Sequence, residues 1–503
     1  MKVLFLITEL QNPVGGLHRF ATELLPVWRE SFRKKEIEFE PVVLSLKDKF
    51  AAPGDLVSCS DFKTPENVSL FEGVRGGEKC YFLQSSLDTR GQQDFQKMMW
   101  DKFRIKSMKH ATWAFYQQLI SYWSAVNAVY PELSKKHDIA LVDAQDWLAF
   151  PAGFLLKKNY GLPLHCRFHS GEFGRAMGKP DPEAPPLTIE TAAFQEADFI
   201  QAVSVSEMRF ELYRLLELKE ELSRQFVNRG EKWLDFQEVR EQEYQDFLLT
   251  EQTLMELSGK RCAGLPNGII LDSWLEVSKD DVEAGKKILS DLLPEREKVA
   301  VFIGRPAKIK GIYSLLDAFK ELDKKYGLVI LSHFTPHGFE EFMKQLTDRG
   351  VQEKVVVRNG WVDERLKKQV YCASDVIVLP SLYEPFGLVT LEALAADLAC
   401  ERNGVSGPIV VVGDTGGMHE TIENGVNGFK VPMEEDVFDL KPAFLADVLK
   451  KAFKAGELKT RISKKGAERI ESEHYRWHNI LLHYAESYRK TIENSEQEKK
   501  FLA

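Results

Sequence analysis

Short apolar runs and helix-period patterns take turns along the chain. In the first half, residues 3–8, 140–143, 164–168 and 199–203 are apolar runs of strand length, with helix-period stretches at 18–30 and 147–158 between or after them. Runs apolar on both faces, alternating with amphipathic helices, predict parallel strands joined by crossover helices. The pattern restarts near residue 297, with strands expected at 298–303, 328–332, 354–357, 375–379 and 408–412 and helices at 311–322 and 339–346. Two α/β domains are therefore expected. The polar, proline-containing link Leu293-Pro294-Glu295 divides a first domain over 1–293 from a second over 294–475, and 476–503 supplies a closing helix and tail. In that last stretch 478–490 reads as helix and 493–500 as a frayed polar end. Residues 207–258 break the rhythm: they are long, charged and aromatic, with helical periodicity and a break near 228–230. They are expected to form a helical hairpin inserted in the first domain, a solvated structural insertion or else an oligomer or acceptor contact.

Composition narrows the function classes. A chain of 503 residues suits two or three domains of roughly 100–200 residues each. A hydrophobic share of 44% and a charged share of 28% give an ordinary balance with material for two cores. The net charge of −9 argues against a general nucleic-acid binder, because phosphate backbones demand clustered Lys and Arg. The six cysteines are scattered, with no metal-ligand or redox spacing, and read as reduced thiols of a cytoplasmic protein. The apolar start is too short for a signal peptide and is interrupted by Glu9, so it reads as a buried first strand. No apolar run approaches the roughly 20 residues of a membrane span.

The chemistry concentrates in three loops. Glu384-Pro385-Phe386-Gly387-Leu388-Val389-Thr390-Leu391-Glu392 follows one expected strand and opens a helix running to about residue 396. Gly387 lets backbone approach a ligand, and the first amides of the helix (Leu388, Val389, Thr390) with the dipole behind them suit a diphosphate. Glu384 and Glu392 bracket that site and can accept hydrogen bonds from two parts of one ligand, such as a hexose and a ribose. Gly304-Arg305-Pro306-Ala307-Lys308-Ile309-Lys310-Gly311 follows the first strand of the second domain. In open α/β sheets ligands bind at the carboxyl ends of strands, so Arg305 and Lys310 there can neutralise a diphosphate and the charge it gains on leaving. Val14-Gly15-Gly16-Leu17 follows the first strand of the first domain; two glycines allow close approach to phosphate or sugar, although this is no full dinucleotide fingerprint. No Asp-x-Asp or His/Cys cluster calls for a metal.

Together with Asp146-Trp147, Phe168-His169, Pro266-Asn267-Gly268, Thr415-Gly416-Gly417 and Tyr475-Arg476-Trp477, these loops resemble the glycogen and starch synthase family and the neighbouring large family of retaining glycosyltransferases. The resemblance implies the glycosyltransferase-B (GT-B) fold: two Rossmann-like domains facing each other across a deep cleft, with the helical insertion in the first. It implies that Arg305 and Lys310 grip the donor diphosphate and that Glu384 holds the donor hexose. Glu392 would hold the ribose, and Gly387, Leu388 and Thr390 would line the phosphate site. Gly15 and Gly16 would approach the donor from the opposite domain, and His169 would sit beside the anomeric carbon. Pro13 stands where the synthases carry a lysine, and Gln145 where the family has a histidine. Ser170-Gly171-Glu172 replaces the usual continuation after His169, and 399–407 reads as a lengthened loop.

The function so implied is retaining transfer of a glucosyl unit from a nucleoside-diphosphate sugar, ADP-glucose or UDP-glucose, to an α-1,4-glucan, without a further cofactor. The alternatives are a small acceptor (sugar phosphate, glycerate or lipid), a sugar-nucleotide epimerase, or a non-catalytic sugar-nucleotide-binding protein. The expected partners are the donor and a glucan or small sugar acceptor, with no nucleic acid and no membrane span, and with a homo-oligomer left open.

Overall fold

The computed structural model describes residues 1–11, 15–48, 55–60, 62–105, 114–177, 184–208, 261–360, 362–433 and 438–502. The chain divides into two compact units, Met1–Gly268 with Trp477–Ala503, and Ile269–Arg476. Of the expected insertion at 207–258, everything from residue 209 on lies outside the described residues.

The first unit is built on β1 (Lys2–Ile7), β2 (Glu40–Leu46), β3 (Val57–Ser58), β4 (Val68–Arg75), β5 (Glu78–Ser85), β6 (Ile139–Gln145), β7 (Leu164–Phe168), β8 (Phe199–Ala202) and β9 (Arg261–Gly264). Among the described residues these form a nine-stranded sheet in the order β3-β4-β5-β2-β1-β6-β7-β8-β9. Pairing is parallel except along β3, β4 and β5. β1 is apolar on both faces because both are covered: Leu4 and Leu6 belong to one buried cluster, Val3, Phe5 and Ile7 to the other. The antiparallel β4–β5 hairpin turns at Gly76 and Gly77, whose φ of 55° and 76° fit a two-residue turn with both central residues left-handed.

The helix Trp477–Leu502 closes this unit. Gly268 makes room for its first residue, since a Cβ there would lie 2.5 Å from Trp477 Cδ2. The expected frayed end at 493–500 is instead helix through Leu502. Its polar face finds partners on the sheet side: Asn494 Nδ2 donates to Asp198 O at 2.8 Å, Lys499 Nζ to Gly161 O at 2.8 Å, and Glu498 pairs with Lys157 at 2.8 Å. A polar sequence is held there by carbonyls and charges that only the folded unit supplies.

The second unit contains β10 (Lys298–Ile303), β11 (Tyr326–Ser332), β12 (Val355–Asn359), β13 (Val376–Leu379), β14 (Ile409–Gly413) and β15 (Phe429–Val431). Its all-parallel order, β12-β11-β10-β13-β14-β15, is the doubly wound arrangement, with the direction of winding reversing between β10 and β13. The unit starts at Ile269, earlier than the expected link at Leu293-Pro294-Glu295. The helix Lys279–Leu292, begun by a capping box of Ser278 and Asp281, packs on the helix Glu364–Ala373. Gly285 permits that contact: a Cβ there would fall 2.0 Å from Gln369 O. Pro294 therefore follows a helix end inside the unit rather than marking a domain link. The helix Leu388–Arg402 also outruns expectation and absorbs the first part of the supposed loop at 399–407. No helix among the described residues is long and apolar enough to cross a membrane.

Candidate active site

The second unit brings two of the expected loops together where its sheet order reverses. Lys308–Lys310 form one 3-10 turn after β10, closed by Gly311 at φ 67°. A Cβ on Gly311 would lie 1.7 Å from Pro380 O, so only glycine lets the loop after β10 touch the loop after β13. Leu382 N donates to Ile309 O at 2.8 Å across the same contact. Lys310 Nζ consequently sits 2.5 Å from Glu384 Oε2, which also accepts from Ser381 Oγ at 3.3 Å. Arg305 is exposed, and its guanidinium has no side-chain partner among the described residues.

Gly387, at φ 88°, begins the helix Leu388–Arg402, and no side chain caps that start. The amides of Leu388 and Val389 are thus left for an anion. The Thr390 amide, expected to join them, is engaged by Gly387 O at 2.8 Å, and its hydroxyl is buried with no hydrogen-bond partner among the described residues. Gly416 and Gly417 brace the loop from behind. Gly417 N donates to Glu384 O at 3.2 Å and Pro385 O at 3.1 Å, and a Cβ on Gly416 (φ 50°) would lie 1.9 Å from Glu384 O. The Thr415-Gly416-Gly417 motif is thereby a buttress for Glu384.

Glu392, one turn inside the helix, is 2% exposed, and its Oε1 lies 2.6 Å from Lys367 Nζ. Lys367, on the helix Glu364–Ala373, also reaches Glu364 at 2.7 Å. Sequence reasoning missed Lys367. The available signal was a lysine one turn before Val370 and Tyr371 on a face that is otherwise buried.

In the first unit the order reverses at β1, flanked by β2 and β6. Gly15, at φ 103°, precedes the helix Gly16–Arg33, and a Cβ on Gly16 would point into open space. Val14 and Pro13 lie outside the described residues. His169 follows β7, with its Nε2 2.9 Å from Gln145 Oε1 at the end of β6 and its ring edge-on to Phe20 at 4.6 Å between centroids. Burial first, and then the charge of Arg167, hold the His169 imidazole well below its ordinary pKa. Asp146 adopts φ 63° and its carboxylate faces the amides of Trp147, His169 and Ser170. Burial outweighs those amides and Arg175 and pushes its pKa up to about 6.

Arg167 is fully buried and donates from Nη2 to Leu265 O at 3.1 Å and Asn267 Oδ1 at 2.9 Å. Its guanidinium also lies over the Tyr484 ring at 4.6 Å. Asn267 and Gly268, singled out as a motif, therefore act here by holding Arg167 and admitting Trp477.

Residues 286–469, which contain Arg305, Lys310, Glu384 and Glu392, match the family described as glycosyl transferases group 1. They form a group 1 glycosyltransferase domain. An uncharacterized glycosyltransferase of Methanocaldococcus jannaschii is 27% identical over 342 residues, covering 65% of this chain and 70% of its own length. The alpha-maltose-1-phosphate synthase of Mycolicibacterium smegmatis is 27% identical over 248 residues, covering 48% of this chain and 59% of its own length. A glycogen synthase of Thermodesulfovibrio yellowstonii is 31% identical over 152 residues, 30% of this chain and 28% of that one. This chain thus spans little more than half of the maltose-1-phosphate synthase and about a quarter of the glycogen synthase. Among solved structures, the catalytic domain of starch synthase IV from Arabidopsis thaliana, bound to ADP and acarbose, superposes with a TM-score of 0.64 at 16% identity, covering 98% of this chain and 99% of that one. At that identity the likeness shows the fold, which is the GT-B fold of two α/β units with parallel sheets. The family and the relatives' names support a glycosyltransferase of the hexosyl-transferring kind as the enzyme class.

Proposed function

We propose that this protein is a retaining glucosyltransferase that takes a glucosyl unit from a nucleoside-diphosphate glucose and adds it to an α-1,4-glucan. One observation carries the reading: within the group 1 domain, Lys310 pairs with Glu384 beside the uncapped helix start at Gly387, at the carboxyl ends of β10 and β13 where such sheets bind ligands, and Arg305 follows β10 by two residues. Lys310, Arg305 and the amides of Leu388 and Val389 receive the donor diphosphate. Glu384 accepts from hexose hydroxyls and Glu392 from the ribose. The acceptor oxygen bonds to the anomeric carbon, the bond from that carbon to the diphosphate oxygen breaks, and the acceptor proton passes to the departing phosphate on the same face. Cations at that phosphate stabilise charge that grows as it leaves. Lys310 pairs with Glu384, so hexose hydroxyls that occupy Glu384 release Lys310 to the phosphate.

A small acceptor is the second reading. It is favoured by the longer match to a protein named alpha-maltose-1-phosphate synthase than to one named glycogen synthase. A donor-by-acceptor matrix decides: ADP-, UDP- and GDP-sugars against glycogen, maltooligosaccharides and phosphorylated small sugars. Diphosphate release that depends on glucan supports the first reading, and release that depends on a sugar phosphate supports the second.

A further inference from the structure

A buried hydrogen-bonded chain in the first unit ends at His169. Tyr488 Oη donates to Asp143 Oδ2 at 2.7 Å. The other carboxylate oxygen, Asp143 Oδ1, lies 2.7 Å from Gln145 Nε2 and 2.8 Å from His165 Nδ1. Gln145 Oε1 lies 2.9 Å from His169 Nε2. Asp143, Gln145 and His165 are all 0% exposed and Tyr488 is 1% exposed, so water does not scramble these partners.

The polarity of the chain follows from its chemistry. Tyr488 Oη and the Gln145 amide both donate to the Asp143 carboxyl group, which accepts on both of its oxygens. Gln145 must then turn its NH₂ to Asp143; the flipped amide would set its carbonyl oxygen against a carboxylate oxygen. The amide oxygen is left for His169, and because a carbonyl only accepts, the facing Nε2 must carry the proton. Burial and the nearby Arg167 keep the ring neutral, so its single proton is the one on Nε2. No partner for His169 Nδ1 is found among the described residues. An amide, unlike an imidazole in the same place, keeps this polarity at every pH.

We propose that Gln145 is a positioning residue that locks His169 as the neutral Nε2–H tautomer, leaving Nδ1 as a hydrogen-bond acceptor for a substrate hydroxyl. The substrate half of this statement rests on the proposed transfer reaction; the tautomer half does not.

The test is side-chain nitrogen NMR on the whole protein with labelled histidine, the His169 signals being identified by their loss in H169N. A protonated Nε2 with a bare Nδ1 in the unaltered protein is the expected result, and an Nδ1–H tautomer overturns the proposal without any variant needing to fold. In Q145L, close in size but apolar, the lock is gone, and a share of the Nδ1–H form should appear; an unchanged ring overturns the positioning role. On the activity side, Q145L should lower kcat about tenfold, the scale of one lost neutral hydrogen bond, with KM for the donor little changed. If the tautomer shifts as expected while kcat stays constant, the lock stands and the hydroxyl-accepting role of Nδ1 falls.

Discussion

Replacing Lys310 by alanine should cost far more in the reaction than in the fold, and the structure sets both magnitudes. Lys310 and Glu384 are 2.5 Å apart with side chains 21% and 17% exposed. A pair so placed, whose carboxylate keeps Ser381 and access to water, contributes about 1 kcal/mol, and its loss should lower Tm by only a few degrees. Transfer is different. If Lys310 faces the departing diphosphate, its absence removes one donor to charge that develops in the transition state, a loss of about 10²–10³ in kcat, or about 2.7–4 kcal/mol. Initial rates of nucleoside diphosphate release at saturating donor and acceptor, alongside thermal melts, measure both quantities. K310A combined with E384Q should cost less than the sum of the single changes, because the two residues share one ligand. A kcat within threefold of the unaltered enzyme, in a variant that melts normally, would refute the placement of Lys310 at the leaving group.

K367M should lower stability by about 3–5 kcal/mol, because it leaves the buried Glu392 carboxylate without its lysine, and K367M/E392Q should recover much of that; equal melting of K367M and the unaltered protein would remove Lys367 from the account. Asp146, raised by burial from 3.8 to about 6, binds its proton more tightly in the folded state, so it favours the fold at low pH and that contribution is lost as pH rises through about 6. D146N removes this dependence: its stability relative to the unaltered protein should rise by up to roughly 3 kcal/mol between pH 4 and pH 7, as read by urea titrations, and a pH-independent difference would contradict the assignment.

The second unit was the more legible half because its central strands β10, β11, β13 and β14 are covered on both faces. β10 was expected over its full observed span, and β13 and β14 within a residue at each end. The loops that matter lie directly after those strands, so placing the strands placed Arg305, Lys310 and Glu384 as well. The β4–β5 hairpin was overlooked although Gly76-Gly77 marks its turn, since its half-exposed faces carry Glu72, Arg75 and Lys79 among the apolar positions. The boundary at Ile269 was not readable locally: what assigns the helix Lys279–Leu292 to the second unit is Gly285 against Gln369, far along the chain. Pairing was equally hidden. That Glu392 meets Lys367 depends on the register of two packed helices, and that Gln145 faces His169 depends on the alignment of β6 with β7.

The most direct test of the central claim is transfer itself. The protein is incubated with glucose-labelled ADP-glucose or UDP-glucose and a maltooligosaccharide; the freed nucleoside diphosphate is counted, and the new linkage is read by NMR. The account predicts one diphosphate released per glucosyl unit gained and an α-configured product, with both lost in the Lys310 and Glu384 variants. Folded protein that releases no diphosphate from any of the donors, or that forms a β-linked product, would contradict it.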